Sequence, residues 1–183
     1  YHAQGCRNWI VVTRDTRTGM EIVWIDRGFQ GDTSPLGRRL PERLGQLPCR
    51  LLGRAPRNAM VIGLGTGVTL RAIVDSGAST VEVAEISRGV IDANRSILPD
   101  INRDVLSQPS VSVRHADGRP LLLDAAQAYD LIVTDMIFPT VLGAGNLFST
   151  EFYDLARRRL TPEGLFVQWI PCFLLSPVEL FAV

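Results

Sequence analysis

Ala59-Met60-Val61-Ile62-Gly63-Leu64-Gly65-Thr66-Gly67-Val68 is the stretch that decides the reading of this chain. Four apolar residues run into alternating glycines. Beyond Val68, Leu70, Ile73 and Val74 follow at helical spacing. The pattern predicts a buried strand over 59–63, a tight turn and a helix N-terminus. Glycines let such a turn adopt positive φ and let its backbone approach a ligand closely. The helix start offers unpaired N–H groups and positive partial charge. This is the form of a nucleotide-binding turn.

Its spacing is Gly-x-Gly-x-Gly, with Val68 where a dinucleotide fingerprint has glycine or alanine. S-adenosylmethionine-type ligands are therefore favoured over NAD. All nineteen basic residues are arginine, so the lysine of a P-loop and of Schiff-base chemistry is missing. Nineteen acidic residues balance them, which gives no electrostatic case for nucleic acid. Cys6, Cys49 and Cys172 are scattered and, with His2 and His115, spell no disulfide framework and no metal site. Reduced thiols imply a reducing, cytoplasmic setting. No apolar run is long enough to span a membrane. The chain starts without methionine and stops inside the apolar Leu180–Val183, so it reads as a fragment, C-terminally truncated.

Working outward from the turn, residues 9–13 and 21–25 predict a β-hairpin closed by the polar stretch 14–19. Residues 26–41, dense in glycine and proline, read as loop. Leucines at 40, 44, 47, 51 and 52 predict a helix, with Pro48 breaking or kinking it. From residue 58 the chain alternates strand and helix. Strands are expected at 59–63, 80–85, 111–115, 129–135 and 165–170, with helices from about 67, after Ser87, near 120–127 and over about 150–160. Ser87 suits the cap of its helix. The fold class is α/β: an N-terminal β-hairpin (residues 1–35), then a doubly wound, Rossmann-like parallel sheet over 36–183. The strand at 59–63 is central and that at 129–135 lies beside it. Such sheets bind ligands beyond the C-terminal ends of their strands.

Those ends carry the chemistry. The first has the turn itself, Gly63, Gly65, Thr66 and Gly67. The second has Glu85, about twenty residues on, where an acid meets ribose hydroxyls. The third leads to Asp117-Gly118, placed to accept from an adenine amino group. The fourth ends in Asp135, near whatever reacts. Each has a plainer reading too: an ordinary strand–helix turn, a solvated strand end, a turn, a loop cap.

The turn, Val83-Ala84-Glu85, Asp117-Gly118 and Tyr129–Asp135 resemble the class I S-adenosylmethionine-dependent fold. Ile25-Asp26-x-Gly28-Phe29-Gln30, Leu47-Pro48, Leu147-Phe148-Ser149-x-Glu151-Phe152-Tyr153 and Gly164-x-Phe166-Val167-Gln168-Trp169 narrow this. They resemble spermidine synthases, and within them the bacterial spermidine-synthase-like branch often fused to membrane-spanning segments. The resemblance implies an aminopropyltransferase of polyamine biosynthesis. Decarboxylated S-adenosylmethionine would be co-substrate, a small amine the acceptor, and no metal is involved. Gln30 would contact the nucleoside, Glu85 the ribose and Asp117 the adenine, and Asp135 would hold the amine. It also allows a homodimer, and membrane segments outside the fragment, of which this would be the cytoplasmic domain. Three positions depart from the family pattern. Thr66 stands for an aspartate in the turn, Leu40-Pro41 for a Tyr-Gln pair, and Phe138 for a second aspartate before Pro139. Methyl transfer from S-adenosylmethionine, and an inactive adenosyl-binding domain, remain the alternatives.

Overall fold

The structure is a computed structural model and describes residues 10–25, 28–32, 34–139 and 143–172, without the side chains of 10, 25 and 28–30. His2, Cys6, Trp9 and Leu180–Val183, all weighed above, lie outside the described residues.

Two sheets are present among the described residues. Strands β1 (Ile10–Arg14), β2 (Glu21–Ile25) and β3 (Gly28–Asp32) form an antiparallel sheet in that order. Asp15 closes the first hairpin, its Oδ1 accepting from the N–H groups of Arg17 and Thr18, and Gly19 turns with φ +71°. The expected loop over 26–41 is corrected here. Part of it is β3, and part is the start of helix α1 (Pro35–Leu51). Ser34 starts α1: its hydroxyl accepts from Gly37 N–H at 3.0 Å, and Pro35 has no N–H to leave unpaired.

Pro48 does not break the helix, which runs through both Pro41 and Pro48. Packing on helix α2 (Val68–Asp75) offsets the lost hydrogen bonds. Gly45 is where the two helices meet: a Cβ there would lie 2.5 Å from Thr69 O and 2.7 Å from Ala72 Cβ. The buried stripe of α1 is Pro41, Gly45, Pro48 and Cys49. The leucines at 40, 47 and 51 face out, Leu51 with 70% of its surface exposed.

The second sheet is parallel, in the order β6 (Val111–His115), β5 (Thr80–Glu85), β4 (Asn58–Ile62), β7 (Tyr129–Thr134), β8 (Leu160–Gln168). β4 is central and β7 adjoins it, as expected. Helices cover both faces. Ala59, Val61, Val83 and Val133 face α2 and helix α3 (Arg88–Ser96). Met60, Ile62 and Ile132 face helices α5 (Gly118–Leu123) and α6 (Thr150–Arg159). A short helix α4 (Pro99–Asn102) follows α3. Burial on both faces is why β4 and β7 carry the apolar runs 59–62 and 131–133. Each large apolar side chain so buried contributes about 1.5–3 kcal/mol. β8 begins earlier than the sequence suggests, directly after α6. Its register against β7 shifts between Tyr129 and Leu131. Gly164 sits at the shift, where a Cβ would come within 2.8 Å of Tyr129 O.

At the N-terminal end of β7, Asp130 ties three elements together. Both carboxylate oxygens take the Arg54 guanidinium, at 2.8 and 2.9 Å. Oδ2 also accepts from Arg57 N–H, and Oδ1 from Thr161 Oγ1. The Arg54 charge and these donors hold the Asp130 carboxyl well below the ordinary range.

Candidate functional site

Gly63, Gly65 and Gly67 have φ of +86°, +50° and +78°, the left-handed region closed to most side chains. Gly63 N–H donates to Ala84 O, which anchors the turn to β5. The N–H groups of Gly65 and Thr66 have no partner among the described residues, and both residues line a pocket. That pocket lies at the C-terminal ends of β4, β5, β6 and β7.

Glu85 ends β5 and is buried. Its Oε2 accepts from Leu64 N–H at 2.8 Å and its Oε1 from Ser87 N–H at 2.7 Å. Burial pushes its pKa up, the backbone donors oppose this, and the charge of Asp135 adds to the rise. Each oxygen keeps a second acceptor site.

Asp135 follows β7 and is also buried. Its Oδ1 accepts from Thr69 Oγ1 at 2.8 Å and from Met136 N–H at 2.9 Å. Oδ2 has no partner among the described residues. It lies 3.2 Å from where a Cβ on Gly65 would be, which is why a larger residue at 65 would cover the carboxylate. Burial raises the Asp135 pKa to about 6, against the two donors.

Asp117 caps α5, its Oδ1 accepting from Arg119 N–H at 2.9 Å, and it lines the pocket from the β6 side. Gly118 is needed for contact, not conformation: a Cβ would meet Ile62 Cγ2 at 2.5 Å. The remaining wall is mostly apolar, with Pro41, Ile86, Ile137 and Phe138 beside the polar Ser87, Arg119 and Asn146. Phe138 packs edge-on against Trp169, ring centroids 5.0 Å apart.

The structure thus brings Gly63, Gly65, Thr66, Glu85, Asp117, Gly118 and Asp135 into one pocket. Gly67 is not on its wall. It faces the buried Asn94 and Asn102, and a Cβ there would lie 2.7 Å from Asn94 Oδ1. Asn94 Nδ2 donates to Gly65 O and Val90 O, and Asn102 Nδ2 to Asn94 Oδ1, so this amide pair braces the turn from behind. Gln30 lies on β3, but its side chain is outside the described residues. β3 nonetheless reaches the turn, since a Cβ on Gly31 would be 3.2 Å from Thr66 Cγ2.

Sequence reasoning missed Thr69, Ile86, Asn94 and Asn102. The one available signal was polar Asn94 recurring at the inward spacing of Val90 and Ile91. His115, at the end of β6, holds a contact of 3.1 Å between its Nε2 and Ile86 O, a strand residue's role.

Residues 41–180 match the family model described as spermine/spermidine synthase domain. The chain belongs to that family. It is 36% identical to a polyamine aminopropyltransferase of Alkaliphilus metalliredigens, over 61% of this chain and 39% of that protein. It is 32% identical to a polyamine aminopropyltransferase of Shigella boydii, over 73% of this chain and 46% of that protein. Among solved structures it superposes on a spermidine synthase in complex with the transition state analogue AdoDATO. The TM-score is 0.79 and the identity 25%, with 91% of this chain and 56% of that chain covered. The chain therefore spans less than half the length of these two curated spermine/spermidine synthase-family relatives. Their membership gives the parallel sheet and its glycine turn a common origin with that fold.

Proposed function

We propose that this chain binds an adenosyl sulfonium donor, decarboxylated S-adenosylmethionine, and belongs to an enzyme that transfers its aminopropyl group to a small amine. The observation that carries the reading is the pairing of two buried carboxylates, Glu85 and Asp135, on either side of an open glycine turn in one pocket. Family membership and the aminopropyltransferase names of its relatives support the reaction class.

The roles follow from the chemistry. Glu85 keeps one acceptor site on each oxygen for the two ribose hydroxyls. Asp117 accepts from the adenine amino group. The free N–H groups of Gly65 and Thr66 face the ligand. A neutral amine attacks the carbon next to sulfur; the N–C bond forms, the C–S bond breaks, and its electron pair leaves on sulfur as 5′-methylthioadenosine. The proton released by the amine goes to Asp135 Oδ2. Alignment of the amine within near-attack distance supplies much of the rate. We keep the division at residue 35, which the start of α1 at Pro35 supports.

Mass spectrometry of products from decarboxylated and intact S-adenosylmethionine, each with a panel of amines, tests the reading. An aminopropyl adduct is expected; a methyl adduct from the intact donor would replace it with methyl transfer.

Two variants report on the roles. Glu85→Ala leaves ribose hydroxyls unpaired, and calorimetry with 5′-methylthioadenosine is expected to show a loss of about 1–3 kcal/mol. Unchanged affinity removes the ribose assignment. Phe138 puts an apolar ring, held by Trp169, where the family pattern has a second carboxylate. Its ring cannot pair with the distal ammonium of a diamine, so turnover of putrescine is expected to be weak. Phe138→Asp is expected to raise that turnover, at the expense of about 1 kcal/mol of ring contact. Rapid putrescine turnover with Phe138 intact refutes the assignment.

A further inference from the structure

Ser87 stands at the N-cap position of α3, where the sequence predicts a capping hydroxyl, yet it makes no capping hydrogen bond. Its other polar groups are accounted for. Its N–H donates to Glu85 Oε1 at 2.7 Å. Its carbonyl accepts from Val90 N–H at 3.1 Å and from Ile91 N–H at 3.3 Å. The hydroxyl alone has no partner, although only 2% of the residue is exposed. The residue lines the pocket, two positions beyond the carboxylate it is bonded to.

A buried hydroxyl without a hydrogen bond is a cost to the fold. A buried serine hydroxyl that does not cap its helix is an unused donor in the empty protein, and a ligand hydroxyl can pair with it. Glu85 can only accept while ionised, and each of its oxygens already takes one backbone N–H. A sugar hydroxyl that donates to Glu85 still has lone pairs to satisfy. Ser87 Oγ, tethered to the same carboxylate, is a donor for them. The first-turn N–H groups of Arg88 and Gly89 also lack partners among the described residues, and they keep that wall electropositive.

We infer that Ser87 is a second sugar-binding residue of the pocket, donating to a ribose hydroxyl that Glu85 accepts from. The inference rests on the adenosyl-ligand reading above.

The test sets affinity against stability. Wild type and Ser87→Ala are titrated calorimetrically with 5′-methylthioadenosine and with its 2′-deoxy and 3′-deoxy analogues, and both unliganded proteins are unfolded thermally. Ser87→Ala is expected to bind 5′-methylthioadenosine about 5- to 20-fold more weakly, the range of one neutral hydrogen bond. One of the two deoxy analogues is expected to bind wild type and variant equally. The unliganded variant is expected to unfold no earlier than wild type, since no bond is lost. Ser87→Gly, a residue at home in an N-cap, is expected to repeat the pattern. Unchanged affinity for 5′-methylthioadenosine, or an equal loss with both deoxy analogues, overturns the sugar assignment while leaving the ligand reading intact. A lowered unfolding temperature with unchanged affinity makes Ser87 structural. No binding of 5′-methylthioadenosine by wild type overturns the ligand reading itself, and the inference with it.

Discussion

Asp135→Asn is expected to slow aminopropyl transfer by about 10²–10⁴-fold, the range for losing a positioned proton acceptor. The amide keeps the shape and can still accept from Thr69 Oγ1 and Met136 N–H through its oxygen. It cannot take the amine's proton. Because burial raises the Asp135 pKa to about 6, kcat/KM of the wild type is expected to climb as pH rises through about 6. In the variant that limb disappears. Thr69→Val removes a donor that favours the ionised form, so the limb is expected to move to higher pH. Stability runs the other way. A carboxyl with a raised folded-state pKa contributes stability below its unfolded value near 4, and loses it as pH passes about 6. Above that pH, Asp135→Asn is therefore expected to unfold no earlier than wild type. Rate constants for the variant within threefold of wild type would remove Asp135 from the proton path.

The other large effect is on stability alone. Asp130→Ala strips Arg54, Arg57 N–H and Thr161 of a shared acceptor at the end of the sheet remote from the pocket. The Arg54 side chain is 39% exposed, so water takes over its charge and the ion pair itself counts for little. What remains is the shared acceptor lost to Arg57 N–H and Thr161, and about 2 kcal/mol is expected by urea unfolding at pH 7. The sign with pH is fixed by the depressed carboxyl. Its contribution is present above the ordinary aspartate range and fades as pH falls below it. The gap between wild type and variant is therefore expected to narrow at pH 3. A gap under 1 kcal/mol at pH 7 would show the network to be dispensable.

The parallel sheet was legible because its strands are buried on both faces and its turn needs glycines; neither signal depends on distant contacts. For the same reason Glu85, Asp117 and Asp135 could be placed, each at a strand end. Helix α1 was legible as a helix from its leucine spacing, but its start at Pro35 and its buried face were not, nor was strand β3. The buried stripe of α1 is proline, glycine, proline and cysteine, residues that helix propensity counts against. Its leucines, which propensity and periodicity favour, face away from the core. Only the close approach to α2 at Gly45 makes sense of that inversion, and it is a tertiary fact. Gly67 shows the limit in another way. Its spacing looks like ligand contact, whereas the structure sets it against Asn94 and Asn102, far along the chain. Ser87 was read correctly as an N-cap position. That its hydroxyl is buried without bonding the helix could be learned only from the backbone around it.

The strand order has a consequence for synthesis. β4, the middle of the parallel sheet, finds its partner β5 soon after it is made, but β7 on its other side comes only after residues 63–128 have been added. At about 5–20 residues per second, an open strand edge flanked by Met60 and Ile62 waits several seconds on the ribosome. Such an edge can pair with a neighbouring nascent chain as readily as with its own. Slow delivery of β7 therefore lengthens the exposure of that edge.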